Sequence, residues 1–180
     1  MPPFALLPAL EGHEIAYTYS TRRATIFHLP FAFFRCHDAP MKVFTYGSLM
    51  IPSVMAAVTG KRFQAMKACL KNYARFRVEG QTYPGIVHQT GASTTGVVYW
   101  DVDDRSLKLL DDFEGELYQR TSVRVEVVQH GTLIAETYLF NPTRLQLLSS
   151  EAWDEEEFKR EHLEEFLRNY RGFSILPKHA

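Results

Sequence analysis

Hydrophobic and polar positions change their rhythm at Pro40-Met41. Before that point neither the helical nor the strand period persists, and prolines at positions 2, 3, 8, 30 and 40 interrupt the chain. After it, Lys42-Val43-Phe44-Thr45-Tyr46 is a short apolar run ended by Gly47, which predicts a strand. Pro52 suits the first turn of a helix over residues 53–58, and Gly60 stops it. Residues 74–79 alternate apolar and charged, predicting a strand with one wet face. Tyr83-Pro84-Gly85 reads as a turn into Ile86-Val87-His88, and residues 95–100 as a central strand.

The period then lengthens. Asp103 or Asp104 can cap a helix whose apolar face runs through Leu107, Leu109 and Leu110 to Phe113. Two long strands follow, over residues 118–128 and 133–140, joined by a turn at Gln129-His130-Gly131. From Glu155 to about Tyr170, Phe158, His162, Phe166 and Tyr170 recur at helical intervals in charged surroundings, predicting one solvated amphipathic helix. Many strands with few helices imply an α+β fold, a small mixed sheet closing towards a barrel. The domain is therefore assigned to residues 41–180. Residues 1–40 form an extension of uncertain order, whose Phe27, Phe31, Phe33 and Phe34 would need apolar cover if ordered.

Composition narrows the class of protein. With 180 residues, 46% of them hydrophobic and 23% charged, the chain suits one globular domain with a real core. A formal net charge of -1 gives no electrostatic footprint for nucleic acid or an anionic membrane. No apolar run reaches the roughly 18–20 residues a spanning helix needs. Residues 20–34 faintly resemble a twin-arginine signal, but His28 and Pro30 interrupt the apolar part, and Arg35-Cys36-His37-Asp38 stands where small residues belong. Cys36 and Cys69 form no pattern, which fits free thiols and a cytoplasmic location.

Three segments could carry chemistry. Tyr46-Gly47-Ser48-Leu49 ends a strand just before a helix; Gly47 can take positive φ, so that successive N–H groups converge on an anion, or the segment is an ordinary turn. In Leu110-Asp111-Asp112-Phe113-Glu114-Gly115-Glu116 four acids crowd a helix end. Such crowding raises carboxyl pKa values and suits a proton shuttle, although charge runs are commonly solvated surface. Arg120 either pairs with these acids or binds a substrate carboxylate. Tyr83-Pro84-Gly85 is a rigid turn whose aromatic either lines a pocket or simply packs. His88 and His162 read as partly buried structural residues. No metal-ligand spacing, nucleotide loop or hydrolase elbow occurs, so neither metal nor cofactor is called for.

Taken together and in order, Val43-Phe44-Thr45-Tyr46-Gly47-Ser48-Leu49, Tyr83-Pro84-Gly85, Gly96-Val97-Val98-Tyr99, Leu110-Asp111-Asp112-Phe113-Glu114-Gly115 and Tyr118-Gln119-Arg120 resemble the γ-glutamylcyclotransferase-like family. The nearest likeness is to its plant avirulence-induced-gene type and γ-glutamylamine cyclotransferases, over about residues 41–170. The resemblance implies a small mixed β-barrel with flanking helices and a cavity between the Tyr-Gly-Ser-Leu loop and the acidic segment. It implies cleavage of a γ-glutamyl amide by intramolecular attack, giving 5-oxoproline and an amine or amino acid without a cofactor. The family's catalytic acid falls on Glu114; Asp111, Asp112 and Glu116 are left as structural or solvating. Substrate contacts fall on Tyr46, Gly47, Ser48, Leu49, Tyr83, Tyr118 and Arg120, with Tyr118 bonding Glu114 or closing the pocket. Phe76, Tyr83 and the segment near Trp153 are expected to shape the outer pocket. The competing expectation is a non-catalytic pocket domain that binds a small carboxylate metabolite or a partner protein.

Overall fold

Five strands carry the architecture: β1 (Met41–Thr45), β2 (Ala65–Arg77), β3 (Pro84–Val102), β4 (Tyr118–Val127) and β5 (Gly131–Phe140). The computed structural model describes residues 40–170. The extension assigned to residues 1–40, Cys36 with it, lies outside the described residues save for Pro40, as do residues 171–180. The strands close into a barrel in the order β1-β3-β2-β4-β5. Every pairing is antiparallel except the closure, where β1 meets β5 in parallel at Val43 and Glu136. The expected mixed barrel is therefore what forms.

Side chains on neighbouring strand positions point to opposite faces, and the core divides accordingly. Phe44, Leu70, Ile86, Val98, Val123 and Val125 fill one cluster. Val43, Tyr99, Val102 and Tyr138 belong to a second, shared with Val54, Met55 and Val58 of α1 (Pro52–Thr59) and with Leu107 and Leu110 of α2 (Asp104–Glu114). The adjacent pairs Val43/Phe44 and Val98/Tyr99 thus tie the interior to the helical layer. Gly96 lets β1 and β3 approach closely: a Cβ there would lie 2.2 Å from the Thr45 carbonyl oxygen.

Several elements differ from their sequence reading. The turn at Tyr83-Pro84-Gly85 opens a single long strand, because residues 84–88 and 93–99 both pair with β2 across an irregularity at Asn72. Asn72 takes φ 62° there, and its Oδ1 accepts the Gly91 N–H at 3.0 Å. The charged face of residues 74–79 is wet only at Glu79; Arg75 and Arg77 are partly covered. Arg75 stacks on Trp153 at 4.9 Å, Arg77 pairs with Glu157, and Arg77 exchanges backbone hydrogen bonds with Ser149 and Glu151. The C-terminal periodicity predicts one helix; the chain forms α3 (Glu155–Glu161) and α4 (Leu163–Asn169), broken at His162. The break keeps Phe158, Leu163, Phe166 and Tyr170 on one apolar surface. His162 is half-buried as expected, but His88 is exposed, its ring edge-on to Tyr73.

Candidate active site

The loop after β1 is held from behind through its carbonyl groups. Arg75 Nη1 donates to the Tyr46 carbonyl at 2.6 Å. The Gly47 and Ser48 carbonyls accept from the N–H groups of Met50 and Ile51 at 2.9 and 3.1 Å. The Leu49 carbonyl accepts from the Tyr99 hydroxyl at 2.9 Å. Every loop carbonyl is therefore occupied, while the N–H groups of Gly47, Ser48 and Leu49 reach no acceptor among the described residues. Adjacent unbonded amides on a fixed loop are the ingredients of an anion site.

Gly47 is glycine for a different reason from the one its sequence position suggests. Its φ is -126°, so no left-handed backbone is required. What matters is space: a Cβ on Gly47 would lie 2.8 Å from both Cδ and Cγ of Pro84. The loop and the Tyr83-Pro84-Gly85 turn are thus packed directly on each other.

Facing the loop is the end of α2. Asp103 caps this helix by accepting the Ser106 N–H at 3.0 Å, and Lys61 at 2.6 Å from its carboxylate helps hold its pKa down to about 2. Leu107 and Leu110 anchor the helix in the core, and Gly115, at φ 60°, ends it immediately after Glu114. The positive φ favours glycine at that position.

The four crowded acids have separate fates. Asp111 Oδ1 lies 3.2 Å from Arg120 Nε and accepts the Tyr138 hydroxyl at 2.8 Å. Asp112 and Glu116 are exposed. Only Glu114 lines the cavity, together with Phe44, Thr45, Tyr46, Gly47, Ser48, Leu49, Tyr83, Pro84, Phe113, Tyr118 and Tyr138. Its carboxyl makes no hydrogen bond to a described residue. Burial raises its pKa to about 8. Mutual repulsion of the acid cluster, the cause suggested by the sequence, is not what shifts it; loss of water is.

Four phenols surround this carboxyl: Tyr46, Tyr83, Tyr118 and Tyr138. Burial raises the pKa of each above its ordinary value, and the charge of Glu114 adds to the effect at all four. The Tyr118 hydroxyl donates to the Pro84 carbonyl at 2.8 Å and not to Glu114, so Tyr118 closes the pocket by securing the turn. The Tyr46 hydroxyl donates to the Tyr138 carbonyl. Thr45 Oγ1 is buried without a hydrogen-bond partner among the described residues, in the same lining.

Glu114, Tyr46, Gly47, Ser48, Leu49, Tyr83 and Tyr118 are therefore brought together around one cavity. Arg120 is not: of the two roles open to it, the structure shows the ion pair with Asp111. Phe76 and Trp153 also lie outside the lining; Trp153 is buried against Arg75 and Phe158, and its Nε1–H donates to the Thr82 carbonyl at 2.8 Å. Sequence reasoning missed Thr45, Arg75, Tyr99 and Tyr138. Thr45 directly precedes the loop, whereas Arg75, Tyr99 and Tyr138 come from strands distant in sequence, and only the register of the barrel assembles them. Among the described residues no helix is long and apolar enough to cross a membrane.

Comparison with known proteins bears on the family and the fold. Residues 43–155 match the family model described as "Gamma-glutamyl cyclotransferase, AIG2-like". The Arabidopsis thaliana AIG2-like protein D is 33% identical over 141 residues, covering 76% of this chain and 92% of the relative. Protein AIG2 C of the same plant is 32% identical, covering 72% and 78%. Among solved structures, an Arabidopsis thaliana protein determined in solution superposes with a TM-score of 0.57 at 31% identity, covering 73% of this chain and 79% of that one. A structure described as a gamma-glutamyl cyclotransferase shares the fold at a TM-score of 0.53 and 19% identity, covering 78% and 93%. The chain belongs to the AIG2-like γ-glutamyl cyclotransferase family.

Proposed function

We propose that this protein cleaves a γ-glutamyl amide by cyclisation, releasing 5-oxoproline and an amine or amino acid. One observation carries the proposal. A carboxyl free of hydrogen bonds to described residues, Glu114, shares a phenol-lined cavity with three adjacent free amides, Gly47, Ser48 and Leu49. The buried, unpartnered Thr45 hydroxyl in that lining is consistent with a polar ligand.

The chemistry needs a proton carrier and little else. The substrate's α-ammonium has no lone pair for attack. Burial by itself holds Glu114 protonated up to about pH 8; an ammonium beside it favours the ionised form. The carboxylate then accepts a proton, and the freed amine attacks the γ-carbonyl carbon. A carbon–nitrogen bond forms to the attacking nitrogen, and the bond to the leaving nitrogen breaks. Two protons pass in turn from the first nitrogen to the second, with Glu114 as carrier, so the amine departs as an ammonium. Ring closure is intramolecular, so positioning supplies much of the acceleration. The loop amides receive the substrate's carboxylate or the developing oxyanion, and Tyr83 and Tyr118 form walls of the site. The scheme requires no cofactor, and the proposed compartment is the cytoplasm, on the sequence grounds given above.

Incubation with γ-glutamyl amines, γ-glutamyl dipeptides and glutathione, followed by assay for 5-oxoproline, tests this reading. Release from at least one class is expected. Binding of 5-oxoproline without turnover of any of them would favour a pocket that only binds.

A further inference from the structure

The cavity has an electrostatic problem that its lining does not solve. Among the described residues no lysine, arginine or histidine lines it, and Glu114 is the one carboxyl in the lining. A ligand carboxylate entering beside an ionised Glu114 would meet like charge, with only amide and hydroxyl dipoles to offset it.

A cation does lie directly behind the loop. Arg75 is half-buried, its guanidinium 4.9 Å from the centre of the Trp153 ring, and its Nη1 contacts the Tyr46 carbonyl at 2.6 Å and Met50 Sδ at 3.7 Å. Among the described residues no carboxylate forms an ion pair with it; Glu155 and Asp154 act on it only at longer range. Burial lowers its pKa, as expected of a cation short of compensating charge. Keeping an arginine there costs desolvation that a neutral residue would avoid.

The covalent geometry says where that charge is felt. The Tyr46 carbonyl and the Gly47 N–H belong to one peptide unit, and it is trans, since no cis peptide occurs among the described residues. In a trans peptide the two groups point in opposite directions. Arg75 thus holds the oxygen side, while the Gly47 N–H faces away from it. Hydrogen bonding to the oxygen polarises the amide and strengthens its N–H as a donor.

We propose that Arg75 is the positioning residue that charges the loop, making the site selective for ligands with a free carboxylate. The inference rests on the cyclotransferase reading, because it takes the loop amides as the substrate's carboxylate contacts.

Calorimetry with two probes tests it: 5-oxoproline, which carries the carboxylate, and its neutral amide, 5-oxoprolinamide. The wild type is expected to bind the acid more tightly. Arg75→Met is expected to weaken acid binding roughly 10- to 100-fold, the range for a hydrogen bond to a charged group, and amide binding less than about 3-fold. Arg75→Lys keeps the charge and is expected to retain most of the preference for the acid. A merely structural role would weaken both probes alike, leaving their ratio unchanged, and would overturn the proposal. If Arg75→Met does not fold, Arg75→Lys decides alone, since a lost acid preference there contradicts a role for charge. A wild type that binds neither probe would overturn the site reading and this inference together. A wild type that prefers the acid, with the preference intact in Arg75→Met, would overturn only the role of Arg75.

Discussion

Gly47 and Pro84 pack so closely that a methyl group on the glycine would fall 2.8 Å from two ring carbons of the proline. Two motifs separated along the chain are thereby locked into one wall of the cavity, and the Tyr118 hydroxyl, 2.8 Å from the Pro84 carbonyl, locks in a third.

Gly47→Ala must separate the loop from the turn. Its φ of -126° is not left-handed, so the contact with Pro84 dominates the cost, on the order of 1–3 kcal/mol of stability. Because the displaced atoms carry the free amides, the loss of kcat/KM is expected to exceed the loss of stability. Chemical denaturation and steady-state kinetics on the same preparation check both.

Glu114 is expected to trade stability for chemistry. Its carboxyl keeps its proton up to about pH 8 in the folded chain, against an ordinary value of 4.5. The folded state therefore holds more protons than the unfolded one across that window, and stability falls as pH rises through it. The contribution is fully present below about pH 4.5 and is lost by about pH 8. Glu114→Gln has no proton to lose. It should match the wild type near pH 4 and exceed it at pH 9, on the order of 2–4 kcal/mol. Urea denaturation at the two pH values measures the difference.

Arg120→Ala separates its two possible roles. The pair with Asp111 is partly exposed, so its loss should cost no more than about 1 kcal/mol. KM for a γ-glutamyl substrate is expected to change less than about threefold, since Arg120 lies outside the cavity lining. A tenfold or larger rise in KM would return Arg120 to the substrate's carboxylate.

Much of this fold was legible in the residue pattern. The caps and breakers at Pro52, Gly60 and Asp103 place their helices well, because those signals act within a few residues. What stayed hidden depends on contacts across the barrel. Arg75 reads as the wet side of an alternating strand, and only the C-terminal segment, folding back with Trp153, covers it. Gly47 reads as a residue free to take positive φ, yet it is required, like Gly96, by the close approach of another strand or turn. By local pattern Glu114 is one acid among four, and only the family resemblance singles it out. Local charge counts could not distinguish the carboxyl facing a cavity from those meeting Arg120 and solvent.

The pH dependence of 5-oxoproline release by the wild type and by Glu114→Gln tests the role of Glu114 most directly. Since kcat/KM reports groups of the free enzyme, the wild type is expected to show a rising limb centred near pH 8, where Glu114 ionises. Glu114→Gln is expected to lose that limb and at least a hundredfold in kcat, the scale of general acid–base catalysis. A folded Glu114→Gln protein that keeps both the activity and the limb would contradict it.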